Sequence, residues 1–228
     1  MKTVSTALPK AKDANWVTRY MFGNSLQKEA RSKIMTITAK SDAAWRFWGG
    51  WGLAFIGFPL GGLAATALVG GVSTPLEGLV GGLASGAVIG LIQWLALRRR
   101  LALTPWWIAA TAAGMGVGLA LGIALLGIDT GGNTLPLRGL VTGAGIGIAQ
   151  FVLLRGGTAR ALIWPLVVAG GWAIGWLVTR AAGIDLALQW AVFGSSGALT
   201  FQLLTGLALA WLLPQAAAER NQQAASFL

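Results

Sequence analysis

Three amides, Gln93, Gln150 and Gln202, interrupt long apolar stretches of this chain. An amide in hydrocarbon must find a partner, and an interhelical hydrogen bond there is worth about 0.6–2 kcal/mol. Two readings follow. The glutamines clasp neighbouring helices together, or they form a ring that lines a central polar site. Thr142, Ser195, Ser196 and Thr200 would add oxygens to such a ring. Arg138 and Arg180 lie close in sequence to Asp129 and Asp185, so snorkelling or ion pairing is the expectation, with anion recognition as the alternative. Further chemistry is hard to build. The chain has no cysteine and no histidine, which removes thiolate metal sites, Cys nucleophiles and His bases. Glu77, Asp129 and Asp185 fall at span ends, and a proton-coupled transporter typically carries carboxylates inside its spans. No metal site and no enzyme activity is expected. The run Gly114–Gly122 (GMGVGLALG) imitates a phosphate loop, but it follows no strand and lies in an apolar span.

The elements that would position these residues belong to a membrane. The 228 residues are 55% hydrophobic and 11% charged, well below the roughly 25% charged residues of a soluble domain. Six spans are expected, at Ala44–Gly71, Leu76–Leu97, Leu103–Gly127, Leu135–Leu154, Ala161–Ala181 and Leu186–Leu213, each near the ~20 residues that a bilayer requires. Short breaks separate them, including Ser73-Thr74-Pro75, Arg98-Arg99-Arg100 and Pro214. The fold class is therefore an all-α polytopic bundle with antiparallel neighbours. The domain reading is a basic tail over 1–43, a transmembrane domain over 44–213 and a short tail over 214–228.

Basic residues set the expected orientation. Fifteen of the 17 Lys/Arg fall on one side, and only Arg138 and Arg180 on the other. Both termini are expected in the cytoplasm. Within the tail, Asn24 or Ser25 can cap a helix over about 24–39. Leu26, Ala30, Ile34 and Ile37 share one face of it, and Lys28, Arg31 and Lys33 lie off that face. This is an interfacial amphipathic helix facing anionic headgroups, or else a solvated tail. The basic residues Arg98, Arg99 and Arg100 belong to the same side. Met1 to Ala44 lacks the short apolar core of a signal peptide. Lipid headgroups or a protein subunit are the expected partners, and nucleic acid is not.

An internal repeat ties the spans together. Shifted by 57 positions, Gly82–Ile123 aligns without a gap to Gly139–Arg180, with 14 identities in 42 positions. A fixed period marks repeated units. A weaker third copy places Gln202 at 52 beyond Gln150. The scheme is three helical hairpins, over about 44–97, 103–155 and 161–213, around a pseudo-threefold axis. Glycines at every fourth position form rows: Gly78, Gly82, Gly86 and Gly90; Gly114, Gly118 and Gly122; Gly139, Gly143 and Gly147; Gly171 and Gly175. Such rows let backbones approach closely in lipid, where no hydrophobic drive holds helices together. They are packing faces, or grooves for a flat or elongated ligand. Trp45, Trp106, Trp107 and Trp164 fall near expected interfaces, as an aromatic belt requires; Trp51, Trp172 and Trp176 fall deeper.

The stretch Gly86–Arg98 reads GxxxGxxQWLxLR and is followed by a Trp-started, Gly-spaced helix. On these residues the chain resembles a loose set of uncharacterised bacterial Gly/Trp-rich multi-pass membrane proteins, frequent among phototrophic lineages. The resemblance covers the second to fifth spans and not the tail. It implies a six-helix repeat bundle in a bacterial inner or photosynthetic membrane, and no activity. The expected role is an accessory or scaffold subunit of a photosynthetic or respiratory complex, with lipid, carotenoid or (bacterio)chlorophyll in the grooves. Without histidine, a chlorin would need Gln, a backbone carbonyl or water as its ligand. The alternative is a small-solute or ion transporter or channel with its polar site on the pseudo-threefold axis.

Overall fold

The computed structural model describes residues 28–29, 31–33, 35, 44–101, 103–129, 131–154, 162–183 and 195–226. The described residues form helices and turns only. We number the helices α1 (Ala44–Val69, with a 3-10 turn at Ala54–Ile56), α2 (Pro75–Leu101), α3 (Trp106–Leu126), α4 (Thr134–Leu154), α5 (Ile163–Ala181) and α6 (Ser195–Ser226). The first five are long and apolar enough to cross a membrane, and α6 carries a shorter apolar stretch, Ser196–Leu212. The chain divides into two compact units, Met1–Phe47 and Trp48–Leu228. In the first, the described tail residues Lys28, Glu29, Arg31, Ser32, Lys33 and Met35 are helical, and Lys33 pairs with Glu29 at 2.8 Å. The remainder of the expected helix over about 24–39 lies outside the described residues, as do Asp185 and the first part, 186–194, of the expected sixth span.

Polarity is inverted relative to a soluble protein. Gln93, Gln150, Gln202, Thr111, Thr142, Thr179 and Thr205 are buried, while Leu91, Leu95, Val117, Leu121, Leu125, Val152 and Leu166 are exposed. That much exposed apolar surface is unstable in water and ordinary in lipid. The chain is a multi-pass membrane protein in contact with lipid.

Local signals stop and start the helices. Thr74 and Glu77 form a reciprocal capping box at α2. Thr74 Oγ1 accepts the Glu77 N–H at 3.2 Å, and Glu77 Oε2 accepts the N–H groups of Ser73 and Thr74 at 2.7 and 2.9 Å. Both α1 and α3 end on a glycine in the left-handed region, Gly70 (φ 66°) and Gly127 (φ 73°). One expected break is absent. Helix α6 runs through Pro214 to Ser226. Proline removes one backbone bond, but the sequence around it, rich in Leu, Ala, Gln and Glu, favours helix on both sides.

Each helix packs against its neighbours in sequence, and α6 returns to α1. Glycine occupies every one of these seams. A Cβ on Gly82 would lie 2.7 Å from Gly116 Cα, and one on Gly90 2.9 Å from Thr111 Cβ. A Cβ on Gly86 would lie 2.8 Å from Ala112 Cα, and one on Gly143 the same 2.8 Å from Ala169 Cα. The second pair is the first shifted by 57 positions. The period reaches further back than the aligned segment. Gly57 and Gly61 precede Gly114 and Gly118 by 57, which precede Gly171 and Gly175 by 57. These glycines meet Ile89 and Ser85, Ile146 and Thr142, and Phe201 and Gly197 respectively. Gly147 lies against Pro165, and Gly139 against Trp172 and Trp176.

Candidate functional site: the glutamine layer and the central cavity

The two ends of the bundle are built differently. At the end marked by Arg98, whose guanidinium lies 4.8 Å from the Trp94 ring, the centre is a packed polar layer. Gln93 and Gln150 each face a tryptophan fourteen positions later. Trp107 Nε1 donates to Gln93 Oε1 at 3.4 Å, and Trp164 Nε1 to Gln150 Oε1 at 3.0 Å. Gln150 Nε2 donates to Thr111 Oγ1 at 2.9 Å and to Gln93 Oε1 at 3.4 Å. Thr111 in turn donates to the Trp107 carbonyl at 2.8 Å. The result is a chain of side-chain bonds across α2, α3, α4 and α5.

Gln202 does not join this chain. Its Nε2 donates to the Trp51 carbonyl, Trp51 Nε1 donates to the Gln202 carbonyl at 2.8 Å, and its Oε1 has no partner. The reason is register. Packing of Gly175 on Gly197, where Gly118 meets Thr142, places α6 at an offset of 55 from α4, so Thr205 occupies the station of Gln150. Gln202 sits almost one turn away from it. The amides therefore make a linked pair and a separate clasp, not a ring.

Trp107 and Trp164 depart from the aromatic-belt expectation. Both are fully buried, with Trp51, and their indoles stand 6.4 Å apart in the case of Trp107 and Trp164. A glutamine carbonyl within reach of each indole N–H makes burial possible. The exposed Trp45 and Trp106 remain at the helix ends. The side chains of Arg99 and Arg100 lie outside the described set, and Lys28, Arg31 and Lys33 are exposed.

Toward the opposite end lies a cavity of about 320 Å³. All six helices contribute to its wall, including Phe58, Met115, Trp172 and Phe201. Ile89 marks its deep end and Gly70, Val72 and Ile128 its outer end, a depth of about 20 Å at 1.5 Å per helical residue. Gln93, Gln150 and Gln202 are not among the lining residues. Thr142 is, with its hydroxyl donated to the Arg138 carbonyl at 2.9 Å. Phe58, Trp172 and Phe201 form an aromatic cluster on one wall, with ring centroids 5.6–6.1 Å apart.

Among the described residues, the cavity wall carries one charged side chain, Arg138. Its stem presses on α3, where a Cβ on Gly122 would lie 2.8 Å from Arg138 Cγ. Its Nη1 donates to the Gly127 carbonyl at 2.7 Å. Of the two expectations, snorkelling or pairing with an acid, the second is not met at Asp129. No ion pair forms; Asp129 Oδ1 accepts the Gly131 N–H at 2.9 Å within its own turn, and its charge acts on the guanidinium from a distance. Arg180, which is exposed, donates to the Gly132 carbonyl. Two buried hydroxyls at the α5–α6 seam, Thr179 Oγ1 and Ser196 Oγ, have no hydrogen-bond partner. Among the described residues no group of His, Cys, Asp and Glu could hold a metal ion.

Sequence reasoning missed Gly57 and Gly61 on α1, although the same 57-residue period points to them. It also missed the tryptophan partners of the glutamines, which recur at a constant spacing. No family model, curated protein or solved structure matches this chain.

Proposed function

We propose that this chain is a non-catalytic membrane subunit that holds an apolar guest in its centre. In this reading it has six spans, arranged as three helical hairpins about a pseudo-threefold axis, with both termini cytoplasmic. The guest is a lipid or pigment, and the host is a larger bacterial membrane complex, photosynthetic or respiratory. The observation that carries the proposal is the cavity, whose wall draws on every helix of a bundle otherwise sealed by glycine contacts. The glycine rows support an internal use, since their close contacts lie between helices of the same chain. A partner subunit would then meet the outer leucine surface and the basic end.

A channel or transporter needs a continuous polar path. The layer of Trp51, Trp107, Trp164 and Gln150, each fully buried, stands in that path. It speaks for holding over conduction.

The test is purification of the full chain in mild detergent, followed by solvent extraction, mass spectrometry and a native gel. About one apolar small molecule per chain, with co-migrating subunits, is the expected result. A lone monomer with no bound lipid or pigment overturns the proposal.

A further inference from the structure

The chemistry of the guest can be read from Arg138, the one charged side chain on the cavity wall among the described residues. Arg138 is half-buried within a membrane span, where an unpaired cation is costly. Three features argue that it faces a ligand. Its stem is seated against Gly122, which positions the side chain. No carboxylate lies within ion-pair distance of it among the described residues. A guanidinium has five N–H donors, and the hydrogen bond that the structure gives it uses one of them, on the Gly127 carbonyl.

Below this arginine the wall turns apolar and aromatic, through Leu119, Met115, Phe58, Trp172 and Phe201. A volume of about 320 Å³ stands at the low end of ligand pockets, which run from about 300 to 1,000 Å³. It suits one hydrocarbon chain better than a tetrapyrrole with its tail. We infer that the cavity binds an anionic single-chain amphiphile, its carboxylate or phosphate on Arg138 and its chain running inward toward Ile89. The inference rests on the reading of the cavity as a guest site and adds the charge and shape of the guest.

Bromine quenches indole fluorescence on contact, and Trp172 and Trp176 line the cavity. The full chain in phosphatidylcholine nanodiscs is titrated with dibrominated stearate, with its methyl ester, and with a lysophosphatidate carrying the same brominated chain. Saturable quenching by the anions is expected, with Trp172→Phe reducing its amplitude. The neutral ester should bind about tenfold more weakly or worse, the size of a lost charge-assisted hydrogen bond of about 1.5–3 kcal/mol. Arg138→Gln should erase the preference for the anions, and Arg138→Lys should retain most of it, which separates a lost charge from a misfolded bundle. A response to the carboxylate but not the phosphate, or the reverse, supports the site and names the source. Equal saturable binding of acid and ester in the unaltered chain overturns the headgroup assignment and leaves a guest site standing. Absence of saturable quenching by all three probes overturns the guest site as well.

Discussion

The end of the bundle marked by Arg98 and the end marked by Asp129 share the same helices and the same 57-residue period, yet one is filled and the other hollow. At the filled end, large side chains meet in the middle, and each indole finds an amide or a carbonyl. At the hollow end, the small residues Gly62, Ala65, Ser85, Gly139, Thr142 and Gly197 share the cavity wall with Phe58, Met115 and Trp172, a bulky set related by the period. The glycines that bring backbones together at the seams also leave nothing to fill the axis. Close packing between neighbours and a void at the centre are thus two outcomes of one composition. Both levels carry indoles; at the filled end they meet amides and carbonyls across the centre, and at the hollow end Trp172 and Trp176 stand in the wall of the cavity.

The largest effect should come from breaking a seam. Gly143→Val would push a branched side chain against Val168 and Ala169, whose backbone atoms stand 2.7 and 2.8 Å from the added Cβ. Neither can give without moving α5. Overpacking alone costs about 1–3 kcal/mol, and a backbone clash lies at or beyond the top of that range. Gly86→Val, the same position one repeat earlier, should cost a similar amount. Gly170→Ala should be close to neutral, since nothing lies within 4 Å of the added atom. Unfolding in mixed micelles measures all three. Equal stabilities would mean that the seams do not hold the bundle together.

The next effect separates the linked glutamine pair from the lone clasp. Gln150→Leu removes bonds to Thr111 and Gln93 and strands the buried Trp164 N–H, at a cost of about 1–3 kcal/mol for the unsatisfied donor. In Gln202→Leu the Trp51 indole keeps its partner, because that partner is the backbone carbonyl of residue 202. The unpartnered Oε1 is lost as well. This variant should cost about 1 kcal/mol or less. If Gln202→Leu proves the more damaging in the same unfolding assay, the three amides act as one unit after all.

Much of this was legible in advance, and the limits are physical. The positions of α1 to α5 followed from apolar length, because a bilayer sets a minimum span; the expected sixth span, Leu186–Leu213, did not match α6, which runs on to Ser226. The seams of α2 with α3 and of α4 with α5 were legible in Gly82, Gly86, Gly139 and Gly143, because a small residue every fourth position marks a helix face whatever it packs against. The register of α6 was not. Gln202 matches Gln150 by residue type, but contacts at Gly197 decide the offset, and those depend on how far α6 slides along α5. Trp107 and Trp164 were placed by distance from the helix end, which suits an interface and says nothing about inward or outward rotation. The cavity left no trace in the sequence, since a void is set by the separation of helices across the axis and not by any one of them.

The smallest expected effect sharpens the hollow side of the comparison. Ala198 is buried on the cavity wall, one turn of α6 outward of Phe201. Replacing it with leucine adds apolar atoms where the empty chain has none. Filling a cavity in a compatible rotamer commonly gains about 0.5–2 kcal/mol. Ala198→Leu should therefore stabilise the delipidated protein while weakening retention of any co-purifying amphiphile, with opposite signs in the two assays. The same enlargement at the filled end has no room to use: Gly206→Leu would meet Trp51 at 2.8 Å and Trp48 at 2.8 Å, and should destabilise. A variant pair moving in the same direction would show that the two ends are packed alike. Stability lost at Gly206 and gained at Ala198 would locate the space for a guest on one side of the glutamine layer alone.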